Sequence, residues 1–96
     1  SLTIEDYFKN NYLFGIEIKF FLHPFIEPQL LKGKIVCLNS KRKNKLAEFI
    51  FEKNLKIELI KTYWYPGFNK RIKNFCISIK PKKNFKKNKI MTYIKM

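Results

Sequence analysis

Ser40-Lys41-Arg42-Lys43-Asn44-Lys45-Leu46-Ala47-Glu48-Phe49-Ile50-Phe51-Glu52-Lys53-Asn54 is the stretch whose reading decides the fold. Asn39-Ser40 offers an N-cap. Leu46, Phe49, Ile50 and Lys53 recur at helical spacing, and Ala47 beside them permits close packing. The spacing predicts a helix from Ser40 to about Asn54. Lys41, Arg42, Lys43 and Lys45 sit awkwardly in it. A helix N-terminus carries partial positive charge, and each base there costs roughly a few tenths of a kcal/mol. The same crowding suits a phosphate site, where free backbone N–H groups and cationic side chains meet.

On either side the pattern changes to strands. Gly15 to Phe20 alternates with Ile16, Ile18 and Phe20 on one face, and Lys34 to Leu38 is a short buried run. Leu55 to Tyr63 alternates, with Leu55, Ile57 and Leu59 opposite Lys56, Glu58 and Ile60. Arg71 to Lys80 places Phe75, Ile77 and Ile79 inward and Asn74, Cys76, Ser78 and Lys80 outward. His23-Pro24 and Glu27-Pro28 bracket a turn-rich connection, and Tyr65-Pro66-Gly67 is the clearest turn signal. Thr3-Ile4-Glu5-Asp6 resembles a capping box, with Leu2 and Tyr7 as its hydrophobic staple, and predicts a short helix from Ile4 to about Asn10. The predicted fold is α+β: a small, mainly antiparallel sheet with one principal helix packed on it, a short N-terminal helix and a basic C-terminal tail. Residues 1–80 form the domain and 81–96 the tail.

The 96 residues suit one small domain, 46% of it apolar, with ten Phe and five Tyr to build a core. No apolar run reaches the roughly 18 residues of a membrane-spanning helix, and no signal-peptide pattern opens the chain, so a soluble or surface-associated protein is expected. Cys37 and Cys76 fall in strand-like runs and make no metal set. Buried free thiols in a reducing compartment are expected.

The net charge of +14 is unevenly distributed. Eleven of these charges arise after Glu58, where Lys61, Lys70, Arg71, Lys73, Lys80, Lys82, Lys83, Lys86, Lys87, Lys89 and Lys95 meet no acidic residue. Phe, Tyr, Met, Ile, Asn and Lys, the residues of AT-rich codons, make up well over half of the chain, so codon bias inflates the lysine total. It does not remove the carboxylates. A one-sided excess of this kind repels itself and calls for a polyanion, with nucleic acid first among them.

Catalysis is not expected. His23 is the only histidine and adjoins Pro24 at a turn. Glu48 and Glu52 read as a solvated i, i+4 pair. No glycine-rich phosphate loop, metal set, cofactor site or small-molecule substrate site is present in the pattern. Three segments point to RNA instead. Lys41, Arg42 and Lys43 open the predicted helix. Tyr63 to Arg71 interleaves aromatics with bases, so that Phe68 and its neighbours stack on unpaired bases while Lys70 and Arg71 hold phosphates. Lys80, Lys82, Lys83, Lys86, Lys87 and Lys89 form a run that cannot fold against its own repulsion and is expected to thread along RNA.

His23-Pro24, Lys34-Ile35, Ser40 with Leu46 and Phe49, Tyr65-Pro66-Gly67 followed by Lys70-Arg71-Ile72, and Ile79-Lys80-Pro81-Lys82-Lys83 occur in that order. In order and spacing this resembles the C-terminal domain of the sixth large-subunit ribosomal protein, an rRNA-binding family, over about two-thirds of the chain. The loop departs from the family in carrying Asn69-Lys70-Arg71 where a second glycine is usual, and one domain stands where the family has two. A looser similarity reaches the C-terminal half of the third small-subunit ribosomal protein. The resemblance implies a structural constituent of a large ribosomal subunit, and the AT-rich composition sets that ribosome in an organelle, the mitochondrial matrix first, with another AT-rich organelle or the cytoplasm as alternatives. Its partners would be rRNA and neighbouring ribosomal proteins, and the Tyr65–Arg71 loop and the Lys80–Lys89 tail would lie on rRNA. The alternatives are a small DNA-binding module and a membrane-surface module. Counterion release from six to ten phosphates would cost about three to five decades of affinity between 50 and 200 mM salt.

Overall fold

The computed structural model describes residues 1–7, 16–67 and 69–96, and within them the chain is all-β. Eight strands run in order: β1 (Leu2–Tyr7), β2 (Ile18–Phe21), β3 (Ile26–Leu31), β4 (Lys34–Asn39), β5 (Lys45–Phe51), β6 (Leu55–Gly67), β7 (Lys70–Pro81) and β8 (Lys89–Lys95). They form a five-stranded sheet, order β1-β8-β5-β4-β3, and a three-stranded sheet, order β2-β7-β6. Every pairing is antiparallel.

The expected α+β fold is thereby overturned, and its principal helix is the clearest loss. Residues 40–44 form a turn and Lys45–Phe51 is a strand. The apolar run there fits two periods at once. Leu46, Phe49 and Ile50 match a helix, whereas Ala47, Phe49 and Phe51 match a strand's inner face. The strand prevails because Phe49 and Phe51 become core residues. It also removes the conflict at Lys41–Lys45, since a strand has no macrodipole to oppose bases at its start.

The short N-terminal helix is likewise replaced over Leu2–Tyr7 by β1, which pairs along its whole length with β8. Residues 8–10 of that predicted helix, and Gly15 of the first predicted strand, lie outside the described residues. The basic tail is corrected too. Lys89–Lys95 is β8, an interior strand between β1 and β5, and its Ile90 and Thr92 are completely buried. The lysine run misleads because it ends where an alternating pattern begins, with Ile90, Thr92 and Ile94 facing one way. Residues 89–95 thus belong to the body of the domain rather than to an extension beyond residue 80.

The two sheets close on one core. Ile35, Cys37, Phe49, Phe51 and Ile90 come from the five-stranded sheet, and Ile77, Ile79 and Leu55 from the other. Across the layer, the Phe20 and Phe49 rings lie 5.8 Å apart and tilted by 45°. Leu22 and Phe85 plug opposite ends from connecting segments. Full burial of each isoleucine stabilises the fold by about 1.5–3 kcal/mol. Both cysteines are free and buried, and burial raises the pKa of each thiol.

Two ends of this sandwich matter for function. At one end the chain turns at 22–25 and 40–44, joined by the Ser40 N–H donating to the Phe25 carbonyl (2.9 Å). At the other lie the β3–β4 turn, the β5–β6 turn and the 82–88 connection. The Lys82 N–H donates to the Asn54 carbonyl there (2.9 Å).

Candidate nucleic-acid interface

The β6–β7 hairpin is longer than the sheet that holds it. β2 pairs with β7 only from Cys76 to Ile79. One further backbone bond, from the Leu22 N–H to the Phe75 carbonyl (2.9 Å), ends the support on that side. The last tie is Asn74, whose Nδ2 donates to the Leu22 carbonyl (3.2 Å) while its Oδ1 accepts from the Thr62 hydroxyl (2.5 Å). Past this clasp β6 and β7 continue as a two-stranded ribbon. Tyr63 stands opposite Lys73 and Gly67 opposite Lys70, with a register shift between Trp64 and Gly67. At about 3.3 Å per residue, the strands beyond Asn74 reach roughly 13–17 Å. The long axis of the molecule is 42 Å and the radius of gyration 14.6 Å, against about 12.5 Å for a compact chain of this length.

A change of chemistry marks the point where the ribbon leaves the body. Leu55, Ile57, Leu59, Ile77 and Ile79 form the face that meets the other sheet. Along that same face, by strand alternation, come Lys61, Tyr63, Lys73 and Arg71. Arg71 packs on Tyr63, its guanidinium carbon 4.2 Å from the ring centroid. Tyr63 and Tyr65 are exposed, as are Lys61, Lys70, Arg71 and Lys73. No acidic residue lies on the ribbon. The nearest in sequence, Glu58, faces the other side and pairs with Lys56 at 3.2 Å. The outcome is a projecting arm with three cations, Lys70, Arg71 and Lys73, two exposed tyrosines, and a fourth cation, Lys61, at its base opposite Phe75.

The other sequence-predicted residues separate. The 41–43 cluster is not a helix N-terminus. Asn39 Oδ1 accepts from the N–H groups of Lys41 and Arg42 (3.0 and 2.9 Å), and the Asn39 carbonyl accepts from the Lys43 N–H (2.8 Å). The backbone donors expected to meet a phosphate are therefore engaged within the turn. Lys43 pairs with Glu27 at 2.5 Å, and Lys41 lies 5.9 Å over the Phe25 ring. Arg42 lines a shallow cleft with Phe25 and Ser40.

Lys80, Lys82, Lys83, Lys86, Lys87 and Lys89 lie at the opposite end from the arm, where β7 passes into β8. Lys80 meets Glu17 at 3.7 Å, Lys87 meets Glu52 at 3.0 Å, and Lys89 lies 5.8 Å over the Tyr7 ring. Lys82, Lys83 and Lys86 remain on an exposed connection. Only Lys70 and Arg71 of the predicted set fall on the arm. Phe68 lies outside the described residues. Sequence reading missed Lys61 and Lys73, although the switch from Leu55-Ile57-Leu59 to Lys61-Tyr63 on one face was there to see.

Two carboxylates are tuned by the body. The Ser78 hydroxyl, followed by Lys19 and Lys80, holds Glu17 below the usual carboxylate range. Glu48, its side chain 12% exposed, is held low chiefly by a hydrogen bond from Lys45, with Lys34 adding to it. Both are offset by lysines within the fold. Among the described residues no three His, Cys, Asp or Glu side chains gather to hold a metal. No described helix is long and apolar enough to cross a membrane.

No family model, curated protein or solved structure matches the chain.

Proposed function

We propose that the chain is an RNA-binding module that lays the β6–β7 arm against its target. The observation that carries this reading is the acid-free ribbon on which Lys70, Arg71 and Lys73, with Lys61 at its base, accompany exposed Tyr63 and Tyr65. Tyrosine faces stack on unpaired bases, each stack being worth about 1–3 kcal/mol, and the cations hold the intervening phosphates. Arg71 already seated on Tyr63 supplies a preformed cation–π unit at low ordering cost. The target in this reading is rRNA of an organellar, mitochondrial ribosome, with neighbouring ribosomal proteins as partners. The charge layout and the AT-rich composition support that setting. The Ser40-started helix that formed part of the ribosomal resemblance is a turn and a strand, so the proposal rests on the arm.

A second reading has its own observation. A two-stranded ribbon is an element that the major groove of B-DNA admits. Fluorescence anisotropy separates the two, using a single-stranded RNA and a DNA duplex of equal phosphate number at one salt concentration. RNA binding at least tenfold tighter supports the first reading, and the reverse preference supports the second. Co-sedimentation of the native protein with a ribosomal subunit tests the proposed setting.

A further inference from the structure

The end of the sandwich opposite the arm carries a different combination. The β3–β4 hairpin turns at Lys32-Gly33, with Gly33 at φ 76°, and its last strand residues, Leu30 and Leu31, are 48% and 47% exposed. Beside them a cleft of about 730 Å³ opens toward the β5–β6 turn. Its floor includes Leu55 and Ile57, and Lys32, Lys53 and Lys82 stand around it. The 82–88 connection brings Lys83 and Lys86 to the same end. It is fixed there by the buried Phe85 and by the Asn84 Nδ2 donating to Asn54 Oδ1 (2.8 Å). The acid lining this cleft, Glu52, is occupied by Lys87 Nζ (3.0 Å) and the Met91 N–H (3.3 Å).

Three lysines without an ion pair among the described residues, Lys32, Lys53 and Lys82, therefore line the cleft with two exposed leucines, and Lys83 and Lys86, also without an ion pair there, follow on the adjoining connection. Nucleic acid would use the lysines but has no use for the leucines, because bases stack on π faces and the cleft presents none; the exposed Tyr7 ring at this end stands on β1, at the opposite edge of the sheet from β3. Phe51 and Phe85 are both buried in the core. Aliphatic side chains projecting from a turn within a ring of lysines match the boundary between acyl chains and anionic headgroups. We infer that this end docks on an anionic phospholipid bilayer, with Leu30 and Leu31 entering the acyl boundary and Lys32, Lys53, Lys82, Lys83 and Lys86 meeting the headgroups. The surface is separate from the arm and stands independently of the RNA reading.

The test is sedimentation of the full chain with vesicles of phosphatidylcholine alone and with vesicles containing about 30% phosphatidylserine, whose negative surface potential attracts clustered lysines. Binding is expected only to the anionic vesicles. The double variant Leu30→Ser/Leu31→Ser should weaken it at least tenfold, and Lys82→Ala/Lys83→Ala/Lys86→Ala by a similar factor. Lys70→Ala/Arg71→Ala should leave it within twofold of the parent. All the substituted positions are exposed or on connections, and circular dichroism verifies that each variant is folded. Absence of binding to anionic vesicles overturns the inference, as does binding that depends on the arm but not on Leu30 and Leu31. Loss of RNA affinity in the 82/83/86 variant, with vesicle binding unchanged, assigns these lysines to RNA and overturns it as well.

Discussion

The Arg71 guanidinium lies 4.2 Å above the Tyr63 ring, across the strands of an arm that no other part of the described protein braces. The pair stiffens the ribbon and presents a flat cationic surface on its core-continuous face. Replacing either residue by Ala should lower the melting temperature by only about 2–8 °C, because exposed cation–π pairs contribute only about 0.5–1 kcal/mol. RNA affinity should fall about three- to tenfold for each, and the double variant should lose less than the product of the two. A double-mutant cycle by fluorescence anisotropy measures this coupling.

β8 is structural, and shortening the chain by it should unfold the protein. Deletion of 89–96 leaves β1 without its partner and exposes the inner edge of β5. A protein lacking these residues is expected to be unfolded by circular dichroism, not a trimmed soluble domain. At single-residue level, Ile90→Ala should destabilise by about 2–5 kcal/mol in urea denaturation.

Thr92 offers the opposite sign. Its side chain is fully buried and its hydroxyl has no hydrogen-bond partner. Thr92→Val keeps the shape and removes an unsatisfied polar group, whose burial costs about 1–3 kcal/mol. The variant should be at least as stable as the parent, with a higher urea midpoint and an unchanged slope.

Acid should loosen the body before the arm matters. Glu17 and Glu48 have pKa values lowered by folding, so the stability they supply is present above the unfolded carboxylate range and is lost as pH falls through their lower folded values. Melting temperature measured from neutral pH down to acid should fall over that window. In Glu48→Gln the fall should be shallower, from a lower starting value.

The parts of the fold that were legible in the sequence are those with a single periodicity. Leu55–Tyr63 and Arg71–Lys80 alternate without competing signals, and both lie in the central hairpin. Ser40–Asn54 supports two periods over the same apolar residues, and only the facing sheet decides between them, through contacts such as Phe20 on Phe49. Ile26–Leu31 was hidden by Pro28, which is tolerated because β3 is an edge strand. The candidate site was half visible. The aromatic and basic character of Tyr63–Arg71 is local and Lys61 continues the alternation of Leu55–Leu59, but placing Lys73 beside them requires the hairpin register. The separation of the Lys80–Lys89 run from the arm follows from strand direction, since Leu55 pairs with Pro81 at the far end of the hairpin.

The central claim is that the arm carries the phosphate contacts, and the salt dependence of RNA binding tests it most directly. Affinity for a single-stranded RNA is measured from 50 to 200 mM salt for the parent and for Lys70→Ala/Arg71→Ala/Lys73→Ala. For single strands each phosphate contact adds about 0.7 to the log–log slope, so the account predicts a slope shallower by about 2 and weaker binding throughout. A triple variant with the parent's slope and affinity would contradict it.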